Sequence, residues 1–301
     1  MSEETFTPDW LALREPVDHR SRAADLVAPL AEWWGSRPSR HVLDLGSGTG
    51  SNLRYLAPRL PGEQVWTLMD RDAALLDQAT GEDGAVGGAR AVGGAGAVGG
   101  AAGEDRAGGG TSRLPGVVRV ERVCGELDRE GLALIPEADL VTASALLDLV
   151  SREWLERLVT TCRAAGSAVL LALSWDGTMT WYDPDADDAL IAEAVRDHQL
   201  RDKGMGPALG PAAAPAAQRA FRAAGFETRI RPSPWRLRTD DASLAHALID
   251  GWAGAASEQR PADTSLIRDW AERRHSTVET CFELEVGHLD LLALPPKPSA
   301  S

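Results

Sequence analysis

The chain has 301 residues, 44% of them hydrophobic, and a formal net charge of −14. That length and apolar share suffice for a sizeable core, while the acidic balance argues against duplex nucleic acid, whose binding needs Lys and Arg to neutralise phosphates. Three widely spaced cysteines, Cys124, Cys162 and Cys281, give neither a metal pattern nor a disulfide scaffold; no apolar run is long enough for a bilayer, the acidic start lacks a signal-peptide core, and a reducing, cytoplasmic setting is expected.

Residues 8 to 35 read as helix, with Leu26, Val27, Leu30, Trp33 and Trp34 on one stripe and Pro16 and Pro29 as points of division. Packing on a sheet is the plain role for that stripe. Arg14, Arg20 and Arg22 are either surface charges or contacts for an anionic group. A short apolar run, Val42, Leu43 and Leu45, then has the composition of a buried parallel strand. Glycines follow at alternate positions, Gly46, Gly48 and Gly50, and after them Leu53, Leu56 and Leu60 recur at helical spacing. Strand, glycine loop and helix form the first turn of an open α/β sheet, where such folds bind ligands.

The loop departs from the dinucleotide fingerprint G-x-G-x-x-G. Its third glycine falls one place early, and Ser51 stands where the fingerprint needs glycine. Asp44 precedes the first glycine by two residues. An anion there repels a pyrophosphate but suits a ligand carrying an ammonium group. Asp44-Leu45-Gly46-Ser47-Gly48-Thr49-Gly50 resembles the first motif of the class I S-adenosylmethionine-dependent methyltransferases. The resemblance spans roughly residues 40 to 227 plus the last strand. It implies a Rossmann-like seven-stranded mixed sheet of order 3-2-1-4-5-7-6, strand seven antiparallel, with helices on both faces and a helical cap. It also implies S-adenosylmethionine as cofactor and Asp44, Gly46, Ser47, Gly48 and Gly50 as its first contacts. In that family N-terminal helices often fold over cofactor and substrate.

Gln64 to Asp70 reads as strand two. Asp70 either accepts hydrogen bonds from a ribose diol, with Arg71 beside it, or caps the helix from Ala73 to Ala79. Residues 81–112 are Ala-Val-Gly-Gly-like repeats with little to bury, and read as a flexible insertion. Val117 to Val123 is strand three. In the resembled family an acidic and then an apolar residue past this strand meet the adenine, here Glu126 and Leu127; Glu126 is equally a cap or a solvated acid. Strand four, from Ala138, carries Ser144 and Asp148 at its tip, where methyl and acceptor meet in such folds. Asp148 is either a general base or substrate anchor, or, with Ser151 and Glu153, the start of the next helix. No Asn/Asp-Pro-Pro-aromatic motif stands there, which counts against nucleic-acid amines as acceptors.

Strand five runs from Ser167 to Leu173. Residues 174–210 and 240–280 read as cap insertions that join residues 1–39 over the site, while 40–80 and 113–173 form the cofactor-binding core. The first insertion holds a helix from Asp187 with His198 on its apolar stripe, either a packed histidine or a catalytic one. Trp175 and Trp181 are either pocket wall or ordinary packing. Phe226 to Ile230 is strand six, Phe282 to Leu294 strand seven, and 295–301 a disordered tail. The expected activity is methyl transfer to a small molecule, by a monomer or homodimer with no metal, nucleic acid or membrane. Two other readings stay open. One is a nicotinamide-dependent oxidoreductase, although Tyr55 and Tyr182 lack the Lys four residues on that such enzymes usually pair with tyrosine. The other is a catalytically silent S-adenosylmethionine-binding protein.

Overall fold

The computed structural model describes residues 6–79 and 116–296. The expectations for 81–112 and for most of the tail lie outside these residues. Among the described residues eight strands form one sheet: β1 (His41–Leu45), β2 (Gln64–Asp70), β3 (Val117–Cys124), β4 (Leu140–Ser144), β5 (Ala168–Trp181), β6 (Glu227–Pro232), β7 (Trp235–Leu237) and β8 (Leu284–Leu294). Their order is β3-β2-β1-β4-β5-β8-β6, with β7 also paired to β8. β1 to β5 pair in parallel, and β8 runs antiparallel to β5, β6 and β7. The expected order holds once its last strand is renumbered β8.

Two features differ from the sequence reading. β7 is an additional strand, and β5 continues to Trp181 instead of stopping at Leu173. The reason lies in paired irregularities. β5 shifts register against β8 between Leu171 and Ser174 and again between Trp175 and Met179. At the second shift the Asp176 carboxylate accepts the backbone N–H and hydroxyl of Thr178. A Cβ on Gly287 of β8 would overlap both side chains, so glycine leaves the notch in which the bulge sits. A strand that bulges twice hides its alternation from a sequence pattern.

Alternate side chains of the central strands feed two cores. Leu43, Val141, Leu171 and Leu291 pack on one face with α6 (Arg152–Ala165) and α8 (Ala213–Ala223). Val42, Leu68, Leu170 and Leu292 pack on the other with α2 (Val27–Gly35) and α3 (Ser51–Leu56). A third core joins the outer parts of β5, β7 and β8 to α1 (Pro8–Ser21), α7 (Asp188–Gln199), α9 (Ala242–Gln259) and α10 (Thr264–Thr280). The remaining helices are short, α4 (Ala73–Gln78) and α5 (Leu132–Leu134).

The N-terminal helix divides at residues 22–26, not at a proline. Pro29 falls in the first turn of α2, where its missing N–H has no role, and Pro16 stays inside α1. Leu26, Leu30 and Trp34 are buried against the sheet, as their four-residue spacing requires, whereas Val27 and Trp33 are only partly covered. No described helix is long and apolar enough to cross a membrane.

Candidate functional site

β1 delivers Asp44 to the sheet's carboxyl edge, and the chain then turns sharply into α3. Gly46, Gly48 and Gly50 have φ of 64°, 52° and 78°, left-handed values that side chains resist. Gly50 is the N-cap of α3, and a Cβ on it would stand 2.7 Å from the Ala79 carbonyl oxygen. A Cβ on Gly48 would meet only the Leu11 side chain, at 3.1 Å. Gly50 is therefore bare for the fold, and Gly48 is bare toward α1 and the space beneath it.

That space is a cavity of about 60 Å³, lined by Asp44, Ser47, Gly48, Asn52 and Ser144 from the sheet edge and by Leu11, Arg14 and Asp18 from α1, among others. Asp44 is fully buried at its floor. Asn52 donates to Asp44 Oδ1 at 2.9 Å, while Oδ2 has no partner. The Ser47 hydroxyl is likewise buried and unpartnered. Buried polar atoms are normally satisfied, so two orphans on one cavity mark a place built for a polar ligand. Burial pushes the Asp44 carboxyl up to about 7, against the Asn52 hydrogen bond and the Arg22 charge, with Asp70 adding repulsion. The simple fixed anion expected from sequence is therefore corrected: without a cation beside it, Asp44 is only partly ionised near neutrality.

Asn52 is fixed from three sides. It also donates to Thr142 Oγ1 at 2.9 Å and accepts from Arg22 Nη1 at 2.9 Å. Arg22 lies over the Tyr55 ring and near Asp290. Arg14 is paired through Nε and Nη2 with Asp18, which also accepts from Trp235 Nε1 at 3.0 Å. Arg14 is thus a buried part of the site's wall and Arg22 a buried support behind Asn52, whereas Arg20 is a surface charge paired with Asp241.

Asp70 lies at the tip of β2. Its Oδ2 accepts the Gly48 N–H at 2.8 Å and its Oδ1 the Asp72 N–H at 3.0 Å. Asp72, not Asp70, caps α4, which removes the capping alternative for Asp70. Arg71 is exposed and its carbonyl accepts the Cys124 thiol. Glu126 and Leu127 follow β3 along the same edge. The Glu126 N–H is taken by Glu130 Oε2 at 2.9 Å, and its side chain faces solvent. The Leu127 carbonyl accepts Trp154 Nε1 at 3.3 Å. Arg71, Glu126 and Leu127 share the edge but do not line the cavity.

Ser151 caps α6, so the helix start does not need Asp148. The Asp148 carboxyl is buried in a turn just past β4. Gln199 Nε2 donates to its Oδ2 at 2.9 Å, and Oδ1 has no partner. Burial pushes this acid up to about 6, against nearby backbone N–H groups, Gln199 and the Arg14 charge. His198, the neighbour of Gln199, is directed elsewhere. Its Nε2 lies 3.2 Å from Glu258 on α9, in a surface pair shared with Arg201. The expected catalytic role for His198 is not supported by this placement: α7 turns Gln199, a position sequence reasoning missed, toward the acid instead.

His288 was also missed. It is buried, its Nδ1 lies 3.0 Å from the Val286 carbonyl, and its ring rests on Trp235. Burial, aided by Arg14, holds it down to about 3. A lone histidine in a strand carries no sequence signal for this. Asn52 had one: a polar residue in an otherwise apolar helical stripe directly after the glycines. Among the described residues no group of three or more His, Cys, Asp or Glu is placed to hold a metal.

No family model matches the chain, and no curated protein does. Among solved structures it is similar to a SAM-dependent methyltransferase from Thiobacillus denitrificans in complex with S-adenosyl-L-homocysteine, at 15% identity and TM-score 0.42 over 97% of this chain and 100% of that one. A Geobacter sulfurreducens SAM-dependent methyltransferase, also with S-adenosyl-L-homocysteine, gives 15% and 0.42 over 98% and 100%. The mycolic acid cyclopropane synthase CmaA1 gives 11% and 0.39 over 90% and 83%.

Proposed function

We propose that the β1–α3 loop binds S-adenosylmethionine and that the chain transfers its methyl group to a small-molecule acceptor. The observation that carries this reading is the orphaned Asp44 Oδ2, buried on the cavity floor beneath a side-chain-free bend. Such an oxygen fits an ammonium, which would hold the proton that the carboxyl otherwise keeps. Arg14 lines the same cavity, and its Nη1 stays outside the Asp18 pair, so it suits the carboxylate of the same amino-acid end. A pyrophosphate would meet the Asp44 carboxyl instead of open N–H groups. Asp70, already holding the Gly48 N–H, suits the ribose; Arg71, Glu126 and Leu127 lie on along the edge, toward the base.

When bound, the cofactor supplies a methyl group on a positively charged sulfur, already activated for in-line displacement. The chain's task is then alignment and exclusion of water. Ser144 and the turn to Asp148 sit where β4 ends, beside the cavity. Asp148 Oδ1, unpartnered and held in place through Gln199, is the group able to take a proton from a hydroxyl or ammonium acceptor.

Titration calorimetry with S-adenosylmethionine, S-adenosylhomocysteine and NADH tests the reading. The first two should bind and NADH should not. Asp44→Asn should weaken S-adenosylmethionine by at least tenfold, since an amide N–H would then face the ammonium. Binding of NADH alone, or wild-type affinity in Asp44→Asn, would refute it.

A further inference from the structure

The hydrogens around Asp44 can be counted. Arg22 carries only donors, so the atom of Asn52 that faces its Nη1, at 2.9 Å, is the amide oxygen. Both amide hydrogens are then spent on Asp44 Oδ1 and Thr142 Oγ1, each at 2.9 Å. Thr142 only accepts there, because its own hydrogen goes to the Leu170 carbonyl at 2.9 Å. Turning the amide over would set its N–H groups against the Arg22 guanidinium. Asp44 Oδ1 therefore faces an N–H and must offer a lone pair. A proton on this carboxyl has one place to sit, the unpartnered Oδ2.

The groups around the acid do not neutralise it. Arg22, behind Asn52, is turned to that amide and to Asp290. Arg14, reaching the cavity from α1, is paired with Asp18. At the tip of β2, Asp70 adds a second acid, held by the N–H groups of Gly48 and Asp72. Ser47, Thr142 and Ser144 carry no charge. A buried carboxylate without a cation is costly, and burial lifts Asp44 to about 7. Below that pH the cavity floor is an O–H donor, whereas holding an ammonium requires an anion.

We infer that Asp44 gives up one proton, from Oδ2, when the amino-acid end of the cofactor binds. This rests on the reading of the loop as an S-adenosylmethionine site. The balance is a carboxylic acid and an ammonium going to a carboxylate–ammonium pair, with the proton released to solvent. The sulfur takes no part, so S-adenosylhomocysteine should release the same proton as S-adenosylmethionine. Acid then competes with the cofactor: for a group at about 7, binding weakens about ninefold from pH 6 to pH 5.

Calorimetry at pH 6 in phosphate and in imidazole buffer, whose ionisation heats differ, counts the protons. The amino group of the ligand stays charged at that pH. About 0.9 of a proton should leave for each S-adenosylmethionine or S-adenosylhomocysteine bound, since Asp44 titrates at about 7. 5′-Methylthioadenosine, which lacks the amino-acid end, should release none. Asp44→Asn should release none with any of the three. Binding with equal heat in both buffers would overturn this inference and leave the cofactor reading standing. Release with 5′-methylthioadenosine, or in Asp44→Asn, would overturn it by moving the source of the proton elsewhere. Absence of binding by all three ligands would overturn both. The wild-type counts decide the matter if the variant fails to fold.

Discussion

Gly48 and Gly50 share a left-handed backbone, yet their surroundings differ. Gly50 faces the Ala79 carbonyl at a distance no Cβ tolerates, while Gly48 faces a single movable leucine tip. Gly50→Ala should therefore destabilise the protein by more than the ~1 kcal/mol that a left-handed alanine costs by itself. Gly48→Ala should cost about that much and chiefly impair binding. Urea unfolding beside calorimetry with S-adenosylmethionine separates the two, and equal stability losses would contradict the assignment. Spacing and residue type sufficed to place Asp44, the glycines and the tip of β2 together at the sheet's carboxyl edge. The sequence did not carry Gln199 or His288, because their roles depend on which way a helix and a bulged strand are turned. It misdirected attention to His198, which differs from Gln199 by one helical step.

Among the elements, Asp290 on β8 is the joint. Oδ1 accepts the Leu173 N–H and the Ser233 hydroxyl, both at 2.7 Å, and Oδ2 accepts the Ala23 N–H at 2.9 Å. One carboxylate thus ties the first bulge of β5, the β6–β7 turn and the α1–α2 break to the sheet. Leu173 has φ 52°, a strained value for a branched side chain, and its N–H is held by this acid. Removing the acid strands several buried donors and the neighbouring Arg22. Asp290→Ala should cost about 3–5 kcal/mol, the scale for breaking a buried charged network. Hydrogen exchange should rise at Ala23 and Leu173 first. Exchange unchanged at both would show that the joint lies elsewhere. The central strands were legible because apolar runs and glycine turns repeat down the chain, and their order came from the resemblance carried by the first loop, whereas β7 is only three residues long and β5 outlasts its apolar run.

At the scale of the whole molecule, three buried groups set opposing pH trends. Asp44, near 7, and Asp148, near 6, are raised above their unfolded value of 3.8. Both contribute stability while protonated and lose it as pH rises from about 4 through those values. His288 is lowered from 6.5 to about 3, so it withdraws stability as pH falls through that window. Asp44→Asn removes one trend. The ligand-free variant should be more stable than wild type above pH 7, by a few kcal/mol at about 1.4 per pKa unit. The difference should vanish below pH 4. Urea unfolding at pH 8 and pH 4 measures both ends, and an equal difference at the two would mean that Asp44 does not titrate as its burial requires.

The notch at Gly287 has a consequence for movement. β5 and β8 pass without a break from beneath the flanking helices into the group formed by α1, α7, α9 and α10, and the interlocked bulge pins them side by side at the crossing. An attached module usually swings on a flexible neck, and this one has none. Those helices can therefore shift against the sheet only by breaking the interlocked bulge, not by bending a hinge.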